Sequence, residues 1–207
     1  MGPMSSADEH AALVRTHGPT LVHLAIDAID HGLVRFEVMP VNLEALDPAL
    51  RAPGACFVTL KRGGMLRGCI GSPSAIKPLA EDLAQNAYGA AFSDPRFPKL
   101  EARERGDLEV SVSVLSPTEP MVATSEAALL AALRPGVDGL ILSDGRCRGL
   151  YLPSVWETLP EPVSFVQHLK RKAGMKTDHW SGTMTAWRFT AAAVSLSPDG
   201  AIALPGG

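Results

Sequence analysis

The sequence predicts an α+β protein whose strands form antiparallel sheets. Two observations carry this prediction. Apolar runs at residues 56–61 and 66–71 flank a Gly-Gly pair, which is the signal of a β-hairpin. A strong helical pattern at residues 79–92 is followed by strict alternation at residues 108–115, so helices and strands mix without a regular β-α-β order.

The N-terminal part of the chain predicts one helix and then one strand. Apolar residues at helical spacing run from Pro19 to His31, and Gly32 can adopt the left-handed conformation in which helices often end. Residues 33–38 alternate between apolar and polar and indicate a strand. The three residues before Met4 suggest an expression leader, which would put the natural start at Met4.

A second section of mixed elements follows Pro117. Ser125 can cap a short helix, and residues 140–152 have the pattern of a hairpin around an Asp-Gly turn. An amphipathic helix is expected at residues 163–173, and residues 185–196 alternate as one long strand.

Composition excludes several classes of protein. Of the 207 residues, 46% are hydrophobic and 20% are charged, which is typical of a soluble globular protein. The net charge of −3 argues against broad nucleic-acid binding, which depends on neutralised phosphates. No apolar run approaches the ~20 residues of a membrane span, and no secretory signal is visible.

The cysteines predict a reducing, cytoplasmic environment. Cys56, Cys69 and Cys147 are odd in number, and none belongs to a Cys-x-x-Cys pair. A disulfide framework or a zinc site is therefore not expected. Phosphate-loop and dinucleotide motifs are also missing, so the sequence predicts neither a metal nor a cofactor.

The hexapeptide Leu-Arg-Gly-Cys-Ile-Gly at residues 66–71 is the most informative segment. It places Arg67, Cys69 and two glycines on one short strand, although strands normally avoid glycine. The glycines predict that another group comes close to this backbone. With a two-residue turn, Cys69 would lie opposite Val58 and on the same face as Cys56.

The polar residues in and near this motif each have a structural and a functional interpretation. Cys69 is either a packed thiol or a nucleophile, and a nucleophile needs a base that no histidine is obviously placed to supply. Arg67 pairs either with a carboxylate or carbonyl or with an anionic ligand. Asn86 is either satisfied by nearby backbone or lines a cleft. Asp94 and Arg96 either form a pair or belong to a plain turn.

A basic run at residues 170–172 also admits two interpretations. Cations near the end of a helix complement the helix dipole, which is the structural alternative. Contact with phosphate or RNA is the functional one.

Taken together, these segments resemble the AMMECR1 family, whose prokaryotic members are called AmmeMemoRadiSam system protein A. Further blocks in the family's order extend the resemblance over about residues 13–190. They lie at residues 54–60, 78–82, 86–87, 90–92, 94–98, 112–117, 138–142, 152–153, 155–157 and 169–174. One departure is at residues 72–77, where an acidic residue and an aromatic or histidine that members often carry are missing.

The resemblance implies a two-lobe α+β fold. A larger lobe, residues 1–117 and 182–207, is expected to carry a five-stranded antiparallel sheet, and a smaller lobe, residues 118–181, a three-stranded one. The expected strands of the larger lobe are residues 34–38, 55–61, 65–71, 108–115 and 185–192.

The resemblance also implies a site in a cleft between the lobes. Cys69 is the candidate catalytic residue. The other residues expected to line the cleft or bind a ligand are Leu66, Arg67, Gly68, Ile70, Gly71, Asn86, Asp94 and Arg96.

The family has no established reaction. Its name associates it with a Memo-like protein and a radical S-adenosylmethionine protein, which predicts a component of a modification pathway. Two functions stay open: Cys69 acts on a substrate in the cleft, or the site binds a large partner such as a protein as a non-catalytic adaptor. RNA or nucleotide recognition is the weaker alternative because the net charge is negative.

Overall fold

The computed structural model describes residues 6–204. Within this range the chain forms two compact units: the first runs to Leu115 and resumes at Ala192, and the second spans Ser116–Ala191. The suggested expression leader lies outside the described residues. No helix in the described range combines the length and apolar character needed to cross a bilayer.

The helices and strands of the described chain are numbered in order. The α-helices are α1 (Ser6–Arg35), α2 (Pro48–Arg51), α3 (Leu79–Phe92), α4 (Glu126–Ala132) and α5 (Pro162–Lys172). The strands are β1 (Cys56–Arg62), β2 (Met65–Gly71), β3 (Leu108–Leu115), β4 (Glu119–Met121), β5 (Gly139–Asp144), β6 (Cys147–Tyr151), β7 (Thr185–Phe189), β8 (Ala191–Leu196) and β9 (Ile202–Ala203). Short 3-10 helices lie at Leu43–Ala45, Ala102–Asp107 and Pro153–Glu157.

The strands form two sheets, one in each unit. The first has the order β2-β1-β3-β8-β9, so β2 is an edge strand, and the second has the order β4-β7-β5-β6. The predicted α+β class with antiparallel sheets is confirmed. The smaller sheet has four strands where three were expected.

Two of the expected strands are wrong. Residues 34–38 form no strand, because α1 continues to Arg35 and the chain after it is irregular. The long strand at residues 185–196 is divided, and its first part, β7, joins the second sheet rather than the first. The break falls at Thr190, which exchanges two hydrogen bonds of 2.9 Å with Ser116 instead of continuing a ladder.

Helix α1 is longer at both ends than the sequence predicts. It begins at Ser6 and contains Pro19, whose missing N–H costs one helical hydrogen bond without ending the helix. It also continues past Gly32. A Cβ on Gly32 would lie 2.4 Å from Cε2 of Phe92 in α3, so this glycine permits close helix packing rather than a stop.

The predicted hairpin of β1 and β2 is present, but a β-bulge shifts its register. The two pairs beside the turn follow the expected register. Arg67 is then an extra residue on β2, so Cys69 lies opposite Thr59 rather than Val58. The expected shared face of Cys56 and Cys69 is therefore wrong, because the slip moves Cys69 to the side away from buried Cys56.

Each unit has its own hydrophobic core. In the first unit, α1 and α3 pack on the sheet, and alternate residues of β1 and β3 point into the core. In the second unit, the ring of Trp156 stacks on Phe165 with centroids 3.8 Å apart. The indole nitrogen donates a hydrogen bond of 2.7 Å to the carbonyl of Asp138, which satisfies its one polar atom.

Candidate functional site

The two glycines of the motif bring β2 against the rest of the first unit. A Cβ on Gly68 would lie 2.1 Å from the carbonyl oxygen of Ala90 in α3. A Cβ on Gly71 would lie 2.2 Å from the ring of Phe57. The close approach predicted from these glycines is therefore made by a helix backbone and a neighbouring side chain of the same chain.

Arg67 is held by an ion pair inside the first unit. Its Nε and Nη2 donate to the two carboxylate oxygens of Glu104 at 2.8 and 3.0 Å, and Nη2 also donates to the carbonyl of Lys99 at 3.3 Å. The two side chains are only 11% and 12% exposed. Hydrogen bonding from Arg67 lowers the pKa of Glu104 to about 2. These partners match the structural interpretation of Arg67.

Asp94 and Arg96 complete the open side of β2 at Cys69. The amide of Cys69 donates to Oδ2 of Asp94 at 2.9 Å, and Nη2 of Arg96 donates to the carbonyl of Cys69 at 3.3 Å. Arg96 also donates to Asp94 through Nη2 at 2.7 Å, and this bonding is the main reason that the pKa of Asp94 is lowered. Of the two alternatives for this loop, the structure has the Asp94–Arg96 pair. The pair supplies an acceptor for the amide of Cys69 and a donor for its carbonyl, as a neighbouring strand would.

The thiol of Cys69 is partly buried on the outer side of the sheet. Among the described residues its side-chain partner is Thr59, whose hydroxyl donates to the sulfur at 3.3 Å, and no imidazole contacts it. A hydroxyl group that donates to the sulfur does not act as a base that removes the proton of the thiol. Within residues 6–204 the site thus presents a thiol that no imidazole contacts.

Asn86 belongs to a buried polar cluster with Asp82 and Cys56. Its Nδ2 donates to the carbonyl of Cys56 at 3.1 Å and to Oδ2 of Asp82 at 2.9 Å, and that oxygen also accepts the amide of Cys56 at 3.1 Å. Asn86 is only 6% exposed, which agrees with the structural interpretation rather than a cleft-lining one. Burial raises the pKa of both Asp82 and Cys56. The spacing of four residues on α3 was the sequence signal for this pair.

The other motif residues divide between core and surface. Ile70 packs against the hydrophobic core of the first unit. Leu66 is 42% exposed near the hairpin turn, and the Arg96 side chain is 54% exposed. The surface at the motif therefore consists of Leu66, the thiol of Cys69 and the guanidinium of Arg96.

Comparison with known proteins identifies the family. The AMMECR1 family model matches residues 22–194. The chain belongs to the AMMECR1 family. It is 40% identical over 189 residues to a protein of Methanothermobacter thermautotrophicus, covering 88% of this chain and 96% of that one. It is 35% identical over 200 residues to a protein of Thermofilum pendens, covering 88% and 92%.

A solved structure has the same fold. The crystal structure of an uncharacterized protein from Pyrococcus horikoshii matches with a TM-score of 0.83 and 34% identity. The match covers 89% of this chain and 94% of that one. The family and the fold are thus established together, whereas this relative is itself uncharacterized.

The basic run at the end of α5 is largely engaged within this AMMECR1-family chain. Lys170 is fully buried, and its Nζ lies 2.9 Å from a carboxylate oxygen of Glu126 and 3.1 Å from the carbonyl of Thr177. Lys172 donates to the carbonyl of Leu150 at 2.8 Å. Two of the three cations therefore have internal partners, which weakens the RNA-contact interpretation.

A polar cluster in the second unit was missed by sequence reasoning. The carboxylate of Asp144 accepts from Thr183 at 2.6 Å and Ser181 at 2.8 Å, and it lies 2.5 Å from Nε2 of His179. Bonding from Thr183, and then from His179 and Ser181, lowers the pKa of Asp144 to about 2. Because Ser181 donates to the carboxylate, this cluster fixes the loop after α5 rather than forming a nucleophile–base pair. Across residues 6–204 no group of three or more potential ligands is arranged to hold a metal.

Proposed function

We propose that this AMMECR1-family protein is a component of a modification pathway and acts with a Memo-like protein and a radical S-adenosylmethionine protein. It would act through the outer side of β2 at Cys69. One observation carries the proposal. Arg67 and Asn86 are mostly buried and are held by internal partners, whereas Cys69 is only partly buried and the guanidinium of Arg96, although paired with Asp94, is half exposed to a substrate or partner.

On this proposal Cys69 supplies a thiol next to a fixed cation. The hydroxyl of Thr59 donates to the sulfur, and Arg96 donates to the carbonyl of the same residue. Such surroundings suit an electrophilic or anionic group. Since no imidazole among the described residues contacts the sulfur, its proton would pass to solvent or to a group of the partner. The interlobe cleft implied by the family resemblance stays a prediction.

The test is complementation of a strain that lacks the gene. Small molecules and modified RNA and protein residues are compared by mass spectrometry after complementation with the natural chain, with Cys69→Ala and with Cys147→Ala. Cys147 is the matched control because it is also a partly buried free cysteine. We expect the control to restore every lost signal and Cys69→Ala to restore less than a tenth. Full restoration by Cys69→Ala would overturn a role for the thiol.

A non-catalytic adaptor is the second candidate, and it is favoured because no histidine of the described chain contacts Cys69 as a base. It predicts that Cys69→Ala restores the lost signals and keeps the complex with the pathway proteins, whereas Arg96→Gln weakens that complex. Arg188→Gln is the matched control, because Arg188 forms a partly exposed ion pair with Glu119 in the second unit. Equal binding by both arginine variants would contradict this candidate.

A further inference from the structure

The second unit contains a cavity of about 490 Å³. The loop after α4 contributes Pro135 and Gly136 to its lining, and the 3-10 helix at Pro153–Glu157 and the turn after it, up to Pro160, contribute the rest. Three of the lining residues are prolines and one is a tryptophan. A concave, largely apolar surface of this size is typical of a small-molecule site, whose volume is about 300–1,000 Å³.

The two sides of the cavity are joined through Asp138, which is fully buried. Its carboxylate accepts from the amide of Arg134 at 2.9 Å and from the guanidinium at 2.6 Å, which closes the loop between them. Its carbonyl accepts the indole N–H of Trp156, whose ring stacks on Phe165. The lining is therefore ordered before a ligand binds, so binding costs little ordering of the protein.

The cavity carries one negative charge that no cation offsets. Among the described residues that line it, Glu157 alone is charged, and its carboxylate has neither an ion pair nor a hydrogen bond within the described chain. Arg134 is the only cation in the two lining segments, residues 134–138 and 152–161, and its guanidinium is bonded to Asp138. An apolar lining with an unpaired carboxylate is complementary to an organic cation.

We propose that this cavity binds a small organic cation, with an aromatic body and one amine. The body packs against Trp156 and the prolines, and the ammonium group pairs with Glu157. Because Glu157 is exposed, this pairing contributes modestly to affinity and mainly selects for positive charge. The cavity belongs to the second unit and the proposed site at Cys69 to the first, so the two proposals can fail independently.

The site is tested with three indole probes that differ in one group. The ¹⁵N-labelled full chain is titrated with tryptamine while the backbone amide of Gly136 and the indole N–H of Trp156 are followed. We expect both signals to shift and to saturate. Tryptophol, with a hydroxyl in place of the amine, should bind about three- to fivefold more weakly, and indole-3-propionate more weakly still. Unmoved signals, or equal binding of the three probes, would overturn the proposal.

Two variants separate the charge of the site from its shape. Glu157→Gln should lower the affinity for tryptamine to that for tryptophol and leave tryptophol unchanged. Glu44→Gln is the matched control, because it removes one exposed carboxylate from the first unit. Ser154→Phe adds a ring to the exposed part of the lining, so it should weaken both probes at least tenfold without lowering the thermal midpoint of unfolding.

Each variant can contradict the proposal. A Glu157→Gln protein that still prefers tryptamine would refute the charge contact, and unchanged binding by Ser154→Phe would place the ligand outside the cavity. The peptide acetyl-Gly-Lys-Trp-Gly-amide should bind more weakly than tryptamine, because its flexible chain must be ordered. Tighter binding of the peptide would assign the cavity to a partner polypeptide and overturn the stated occupant.

Discussion

Cys56 and Cys69 make similar backbone contacts with aspartates whose pKa values are shifted in opposite directions by their surroundings. Each cysteine donates its amide to an aspartate, Cys56 to Asp82 at 3.1 Å and Cys69 to Asp94 at 2.9 Å. Asp82 is buried without a hydrogen-bonded cation, and burial raises its pKa. Asp94 also has little exposed surface, but it is bonded to Arg96, and its pKa is lowered. Burial favours the protonated form of Asp82, whereas the bonded cation favours the charged form of Asp94.

The largest effect on this comparison is expected from Gly68→Ala. The added Cβ would meet the carbonyl of Ala90, so β2 must move off α3, and Cys69 would be displaced from Asp94. We expect a loss of about 3 kcal/mol in the free energy of unfolding, measured in urea. Gly106→Ala is the control, because a Cβ there meets nothing within 4 Å. A loss no larger than that of the control would contradict the close approach.

Asp82→Ala should be the next most damaging change. It leaves the buried amide of Cys56 and the side chain of Asn86 without their shared acceptor. The expected loss is about 2 kcal/mol in the same urea measurement. Gln85→Ala, one turn along the exposed side of α3, should cost less than about 0.5 kcal/mol. Equal losses would show that the buried cluster adds no stability.

Asp94→Ala should cost less than Asp82→Ala although it breaks more hydrogen bonds. The amide of Cys69 lies beside Arg96, which is half exposed, so water can replace the lost acceptor. We expect a loss of about 1 kcal/mol by urea unfolding. A larger loss than for Asp82→Ala would reverse the order of the two aspartates.

The two aspartates should also affect the pH dependence of stability in opposite directions. Asp94 and Glu104 have lowered pKa values in the folded protein. Their ionised forms therefore stabilise the fold above the unfolded pKa values of 3.8 and 4.5, and this stabilisation is lost as the pH falls through the folded pKa values. Asp82 has a raised pKa, so its ionisation opposes folding as pH rises above 3.8. Urea unfolding from pH 7 to pH 2.5 should show a flatter acid decline for Asp94→Asn. The same titration of Asp82→Asn should remove a decline on the neutral side, and identical profiles would refute the opposite signs.

The smallest expected effect concerns Thr59 and the thiol of Cys69. Thr59→Val removes the hydroxyl that donates to the sulfur and keeps the shape of the side chain. Loss of one hydrogen bond of about 1 kcal/mol corresponds to about a fivefold slower alkylation of Cys69 by iodoacetamide. Alkylation of Cys147, followed in the same digest by mass spectrometry, should not change. Faster alkylation of Cys69 would mean that the hydroxyl shields the sulfur instead.

Local sequence patterns predicted most helices and strands. The features that the sequence did not predict depend on contacts between residues far apart in the chain. The hairpin and α3 are visible in the sequence because their periodicity is local. The bulge at Arg67 is not, because the carboxylate that holds this residue comes from Glu104, far along the chain. The continuation of α1 past Gly32 likewise depends on Phe92, which the sequence alone does not bring near.

The same distinction applies to the candidate site. The Asp94–Arg96 pair was predictable because the two residues are neighbours on one loop. The contact of Asp82 with Cys56 was not, because it joins a helix to a strand across 26 positions of the sequence. The shift of one residue in the register of β2 also turns Cys69 away from the core. The hydrophobic pattern alone could not predict this register, because a glycine-rich strand specifies its register weakly.

The hydrogen bonds between Ser116 and Thr190 have a consequence for the modularity of the chain. The second unit leaves the first sheet at the end of β3 and returns at the start of β8, and these two strands are neighbours in that sheet. The two ends of the insertion are therefore adjacent, and the hydrogen bonds between Ser116 and Thr190 join them. A tight turn joining β3 directly to β8 would excise the insert and leave the order of the first sheet intact. The strand that carries Cys69, β2, lies at the edge of that sheet and is not one of the two strands joined to the insert.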